Sequence, residues 1–124
     1  MTNRILVTES DTDLLSSMAK TLSAVGYDVV ATSHGTEMNQ LIDCFRPDIV
    51  VTDMILPDED SIDWLDEFRH GSFIAKVIAI SNNDYLLRLA MEHGADFALQ
   101  KPFEPGQIHG LVRRALDGPW PVHI

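Results

Sequence analysis

Short apolar runs alternate along this chain with stretches in which apolar residues recur at helical spacing. Arg4-Ile5-Leu6-Val7-Thr8 reads as a first strand running into Glu9. Leu14, Leu15, Met18, Leu22 and Val25 then line one face of a helix, and Gly26 follows as its natural stop. Asp28–Thr32 reads as a second strand, Ser33-His34-Gly35 as a turn, and Met38, Leu41, Ile42 and Phe45 as the apolar face of a second helix up to Arg46-Pro47. In Pro47-Asp48-Ile49-Val50-Val51-Thr52-Asp53 the apolar residues are continuous rather than alternating, which predicts a third strand buried on both faces and ending at Asp53. A polar loop, Pro57–Ser61, leads into a helix carrying Ile62, Leu65 and Phe68. Lys76–Ile80 predicts a fourth strand running into Ser81, and Leu86, Leu89 and Ala90 a helix ended by Gly94. Phe97–Gln100 predicts a fifth strand running into Lys101-Pro102, and Ile108, Leu111, Val112, Ala115 and Leu116 a last amphipathic helix. Five strand-helix alternations with short connections imply an α/β domain over residues 1–117, with a parallel sheet covered on both faces. Residues 118–124 read as a C-terminal tail, because two prolines there forbid helix.

The strand ends carry the chemistry. Open α/β sheets place their ligand sites at the carboxyl edge of the strands. Here Glu9, Asp53, Ser81 and Lys101 stand where four strands end, so a parallel sheet would gather two acids, a hydroxyl and an amine. Asp53 is the most informative of them, since an unpaired acid closing a hydrophobic strand is costly unless it has a use. Glu9 and Asp53, with Asp11 nearby, would crowd negative charge that Lys101 offsets in part. A hard divalent ion such as Mg²⁺, held by one or two carboxylates and water, could offset the rest. With charge so balanced, Asp53 can act as a nucleophile toward a phosphoryl group, while Ser81 and Lys101 hold phosphoryl oxygens. Simpler roles exist for the others. Asp11 and Asp13 suit the start of the first helix, Asp58, Glu59 and Asp60 a solvated loop, Ser81 a helix cap and Lys101 the surface.

Composition narrows the class. A chain of 124 residues with 45% hydrophobic content is long enough for one domain with a full core. A formal charge of −10 repels a phosphate backbone, which argues against direct nucleic-acid binding and leaves proteins and cations as company. The single Cys44 precludes an internal disulfide, suits a reducing cytoplasm and reads as a buried structural thiol. His34, His70, His93, His109 and His123 are scattered, without metal-ligand spacing, and read as surface or helix-end residues. No run approaches the roughly 20 apolar residues of a membrane span, and no signal-peptide pattern opens the chain.

In Ile5–Asp11, Pro47–Pro57, Val77–Ser81, and Gly94-Ala95-Asp96 through Lys101-Pro102-Phe103, the chain resembles the receiver domain of two-component response regulators. The resemblance implies a flavodoxin-like, doubly wound five-stranded parallel sheet of order 2-1-3-4-5 with five helices. It also implies that Asp53 accepts phosphate from a phosphohistidine on a sensor kinase or phosphotransfer protein, Ser81 moves onto the phosphoryl group, and Lys101 is its cationic partner. Mg²⁺ would be held by Glu9, Asp53 and the backbone carbonyl of Ile55, with Ser10 or Asp11 as a further candidate. The chain departs from the family pattern at several places. Ser10 stands where a second carboxylate is usual, Asn82 where a small residue follows the hydroxyl, and Ser61 where glycine is common. Ala98 stands where an aromatic residue usually turns inward, with Phe97 one position earlier on the other face of the strand. The output surface implied by the family would include Arg88, His93, Asp96 and Arg113, equally readable as solvated charges.

The leading expectation is a stand-alone receiver that takes phosphate at Asp53 and signals by binding another protein, catalysing at most its own phosphorylation and dephosphorylation. The alternative is a degenerate receiver acting as a phosphorylation-independent binding module, which Ser10 and Asn82 favour. A metal-dependent phosphohydrolase ranks below both, because Ile55 stands where such enzymes need a second acid. A nucleotide- or flavin-binding domain is poorly supported, since no glycine-rich phosphate loop follows the first strand.

Overall fold

The structure is a computed structural model and describes residues 2–120. Among these residues the chain folds into β1 (Arg4–Thr8), α1 (Thr12–Ala24), β2 (Asp28–Thr32), a 3-10 turn (Gly35–Glu37), α2 (Met38–Phe45), β3 (Ile49–Asp53), α3 (Ser61–His70), β4 (Lys76–Ser81), α4 (Asp84–Glu92), β5 (Phe97–Gln100) and α5 (Pro105–Asp117). All neighbouring strands pair in parallel, in the order β2-β1-β3-β4-β5, as expected.

Alternation along the strands sends side chains into two cores. Ile5, Val7, Ile49, Val51, Ile78 and Ile80 meet Met18 and Leu22 of α1 and Ile108 and Val112 of α5. Leu6, Val50, Val77 and Ala79 meet Met38 and Ile42 of α2, Trp64 and Leu65 of α3, and Leu87 and Ala90 of α4. Both central strands, β3 and β4, are buried at every position, which explains their unbroken apolar runs. Phe97 and Ala98 pack into opposite cores, Phe97 toward α1 and α5 and Ala98 toward α2, α3 and α4.

Element ends follow local chemistry. Asp11 caps α1, accepting from the amides of Asp13 at 3.0 Å and Leu14 at 3.2 Å. The chain leaves α1 through Gly26, whose φ of +102° suits glycine. Asp60 caps α3 and Asn83 caps α4. The cap of α4 is therefore Asn83, and Ser81 is the last residue of β4.

Three surface readings are corrected. Cys44 is exposed, not buried: it lies two residues from buried Ile42, about 200° around the helix. Asp96 is not a free solvated charge: its Oδ2 accepts from the amide of Val77 at 2.8 Å and pairs with Nη2 of Arg69. Asp58 and Asp60 are exposed but structural: Asp60 caps α3, and Asp58 accepts from the amide of Gly35 at 3.0 Å and from Oγ1 of Thr36 at 3.1 Å. In the tail, Gly118 follows α5 and the Trp120 ring lies 4.6 Å from Nζ of Lys76. Residues 121–124, including His123, lie outside the described residues.

Candidate functional site

Because β1 and β3 are adjacent and in register from Ile5↔Ile49 to Thr8↔Thr52, Glu9 and Asp53 emerge side by side at one edge. On the other side of β3, Asp53 pairs with Ile80, which places Ser81 at the same edge. Ser81 pairs in turn with Gln100, so Lys101 is next out, its amide donating to the Ser81 carbonyl at 2.8 Å. The sheet thus gathers the four residues singled out from the sequence.

Glu9 and Asp53 are almost wholly buried, at 1% and 4% exposure. The Lys101 ammonium reaches between them, 2.8 Å from Oδ2 of Asp53 and in contact with Oε1 of Glu9. The remaining carboxylate oxygens take main-chain donors. Oδ1 of Asp53 accepts from the Ile55 amide at 3.0 Å, and Oε2 of Glu9 from the Asp11 amide at 3.1 Å. The hydroxyls of Thr52 and Ser61 both donate to the Asp53 carbonyl, at 3.1 and 3.0 Å. They fix the backbone that carries the acid. Ser61 and Thr52 were missed as site residues because their contact is to main chain, which no residue letter announces.

One ammonium faces two carboxylates, so the cluster keeps an excess negative charge. Burial pushes the Glu9 carboxyl above its ordinary 4.5, and nearby Asp53 adds to this against the pull of Lys101 and the Asp11 amide. Burial draws Lys101 down, but its hydrogen bonds and attraction to Asp53 and Glu9 outweigh this and hold it above 10.5. Lys101 is therefore a fixed cation near neutral pH.

Ser81 stands at the same edge, its Oγ accepting from the Asn83 amide at 3.0 Å. Ser10 is exposed, and the Asp11 carboxylate is engaged as the α1 cap. Among the described residues no three His, Cys, Asp or Glu side chains converge as a metal set. Oε1 of Glu9 is nevertheless buried, with the Lys101 ammonium, shared with Asp53, as its one neighbour of opposite charge. Two buried carboxylates that share a single ammonium fit a hard cation that keeps much of its water shell. Chemically, the arrangement can present Asp53 to an electrophile and hold an anion against Lys101.

Among the described residues no helix is long and apolar enough to cross a membrane. A family model described as the response regulator receiver domain matches residues 5–113. The chain is 28% identical over 118 residues to the alkaline phosphatase synthesis transcriptional regulatory protein PhoP of Bacillus subtilis, covering 94% of this chain and 49% of that protein. It is 33% identical over 117 residues to the DNA-binding transcriptional regulator NtrC of Rhizobium meliloti, covering 93% of this chain and 24% of that one. The chain thus spans half or less of the length of these relatives. In structure it is similar to a signal receiver domain from Bermanella marisrubri, with a TM-score of 0.88 at 23% identity, covering 94% of this chain and all of the other. A CheY-like receiver domain protein from Methanospirillum hungatei gives a TM-score of 0.84 at 24% identity, covering 94% and 95%. With its flavodoxin-like sheet and its acids and lysine gathered at one edge, the chain belongs to the response regulator receiver domains, a family of signalling domains rather than conventional enzymes.

Proposed function

We propose that this domain accepts a phosphoryl group on Asp53 from a phosphohistidine of a sensor kinase or phosphotransfer protein, and signals by a phosphorylation-dependent contact with a downstream protein. The observation that carries this reading is the buried Asp53 carboxylate hydrogen-bonded to the Lys101 ammonium at 2.8 Å. A carboxylate oxygen of Asp53 attacks phosphorus, the P–N bond breaks, and the imidazole departs with the electron pair and takes up a proton. Lys101 then holds a phosphoryl oxygen, and the Ser81 hydroxyl turns from the Asn83 amide to another. Mg²⁺, held by Asp53, the Ile55 carbonyl and Glu9, would supply the positive charge that phosphoryl transfer demands. Lacking a second acid at Ser10, this chain would hold the ion weakly. The reading carries with it a cytoplasmic location and no direct contact with nucleic acid or membrane.

Intact-mass measurement after incubation with Mg²⁺ and acetyl phosphate tests the reading. One added phosphoryl group on the wild type and none on Asp53→Asn is the expected result. An unmodified wild type, with Mn²⁺ tried as well, overturns it in favour of a phosphorylation-independent module.

A further inference from the structure

The segment following Asp53 builds a second feature, beside the phosphoryl-transfer site. Residues 54–62 together with Leu86 of α4 line an open groove of about 560 Å³. Its floor is apolar: Ile55 is 49% exposed, and Ile62 and Leu86 are only partly buried. Its rim is Asp58, Glu59 and Asp60, and no lysine or arginine lines it. Among the described ion pairs, only His34 approaches this rim, at 3.8 Å from Asp58.

The groove is held in shape rather than left as a free loop. Leu56 and Glu59 form an antiparallel bridge across it. Asp58 ties it to Gly35 and Thr36, and Ser61 ties its far end to the Asp53 carbonyl. Gly35 sits so close beneath that a Cβ there would lie 2.6 Å from Cβ of Glu59. An aliphatic side chain half in water on a fixed backbone leaves burial energy for an incoming group, with little ordering cost.

We propose that this groove docks a basic amphipathic segment of a partner protein. One large apolar side chain sits on Ile55, Ile62 and Leu86, and flanking lysine or arginine groups meet Asp58, Glu59 and Asp60. Charge selects this occupant. The three acids and the net charge of −10 repel phosphate, anionic lipid and a second copy of this chain.

Amide chemical shifts of the unmodified protein test this independently of phosphorylation. The probe is an amidated peptide with two arginines on each side of one phenylalanine, compared with its alanine analogue. Saturable shifts confined to residues 55–62 and the neighbourhood of Leu86 are expected. The alanine analogue should bind about fivefold or more weakly, as should Ile55→Ser with the phenylalanine peptide. Glu59→Gln with Asp60→Asn should weaken binding and flatten its salt dependence. Shifts spread over the acidic surface, indifferent to the phenylalanine and to Ile55, would overturn the proposal. So would the absence of binding by the wild-type protein, or undiminished binding by variants that circular dichroism shows folded.

Discussion

Glu9 and Asp58 illustrate how the same side-chain chemistry acquires opposite signs from its surroundings. Burial raises the Glu9 carboxyl, so the folded state holds its proton more tightly than the unfolded chain does. Its contribution to stability therefore falls as pH rises from 4.5 through its folded value. In metal-free protein, Glu9→Gln should raise the unfolding free energy at neutral pH by roughly 0.5–2 kcal/mol, read from urea denaturation. A loss would show that Lys101 needs both acids. Asp58 runs the other way: burial raises it, but the donors from Gly35 and Thr36 together outweigh this and depress it below 3.8. The stability it gives is present above 3.8 and lost as pH falls through the folded value. Asp58→Asn should remove that acid-sensitive component and speed amide exchange at Gly35 and Thr36. The crowding of acids around Glu9 was legible from the strand ends, but the behaviour of Asp58 was not. Asp53 and Lys101 could be picked out because each ends a strand, whereas Asp58 answers to backbone 22 and 23 residues away. Ser81 was recognisable as a site residue, but not its orientation toward the Asn83 amide.

At the scale of elements, β3 and β4 were readable because burial on both faces writes an unbroken apolar run. Links between elements were not. Arg69 of α3 donates from Nε to the Gly94 carbonyl at 2.6 Å and from Nη1 to the Ala75 carbonyl at 2.7 Å, and pairs through Nη2 with Asp96. One guanidinium thus fastens α3 to the start of β4 and to the turn between α4 and β5. In sequence Gly94-Ala95-Asp96 stands out as a stretch, but nothing ties it to Arg69. Arg69→Met should cost about 2–3 kcal/mol, because Asp96 and two carbonyls lose a charged donor together. Gly94 has φ +112° and packs where a Cβ would run into the Arg69 side chain. Gly94→Ala should therefore destabilise by more than about 1 kcal/mol, and less in an Arg69→Met background. A double-mutant cycle by thermal denaturation checks this. The cap of α4 by Asn83 was likewise hidden behind the more conspicuous Ser81.

For the molecule as a whole, the lifetime of a phosphorylated form follows from what stands beside Asp53. The Ile55 side chain offers an attacking water neither a hydrogen bond nor a base, so self-dephosphorylation should take minutes or longer. A half-life of seconds after removal of the phosphodonor would count against this. The far end of the sheet has its own anchor: Lys76, 3% exposed, donates to the Ala115 carbonyl near the end of α5, with the Trp120 ring beside its ammonium. Trp64, the other of the chain's two tryptophans, is 3% exposed, stacked on Phe68 at 5.0 Å and hydrogen-bonded to Asn39. Trp120 is 40% exposed. The unlabelled protein consequently carries two tryptophan fluorophores of different colour, a blue one in the interior and a redder, acrylamide-quenchable one beyond the end of the last helix. Their denaturation curves should superimpose only if that helix end melts together with the core.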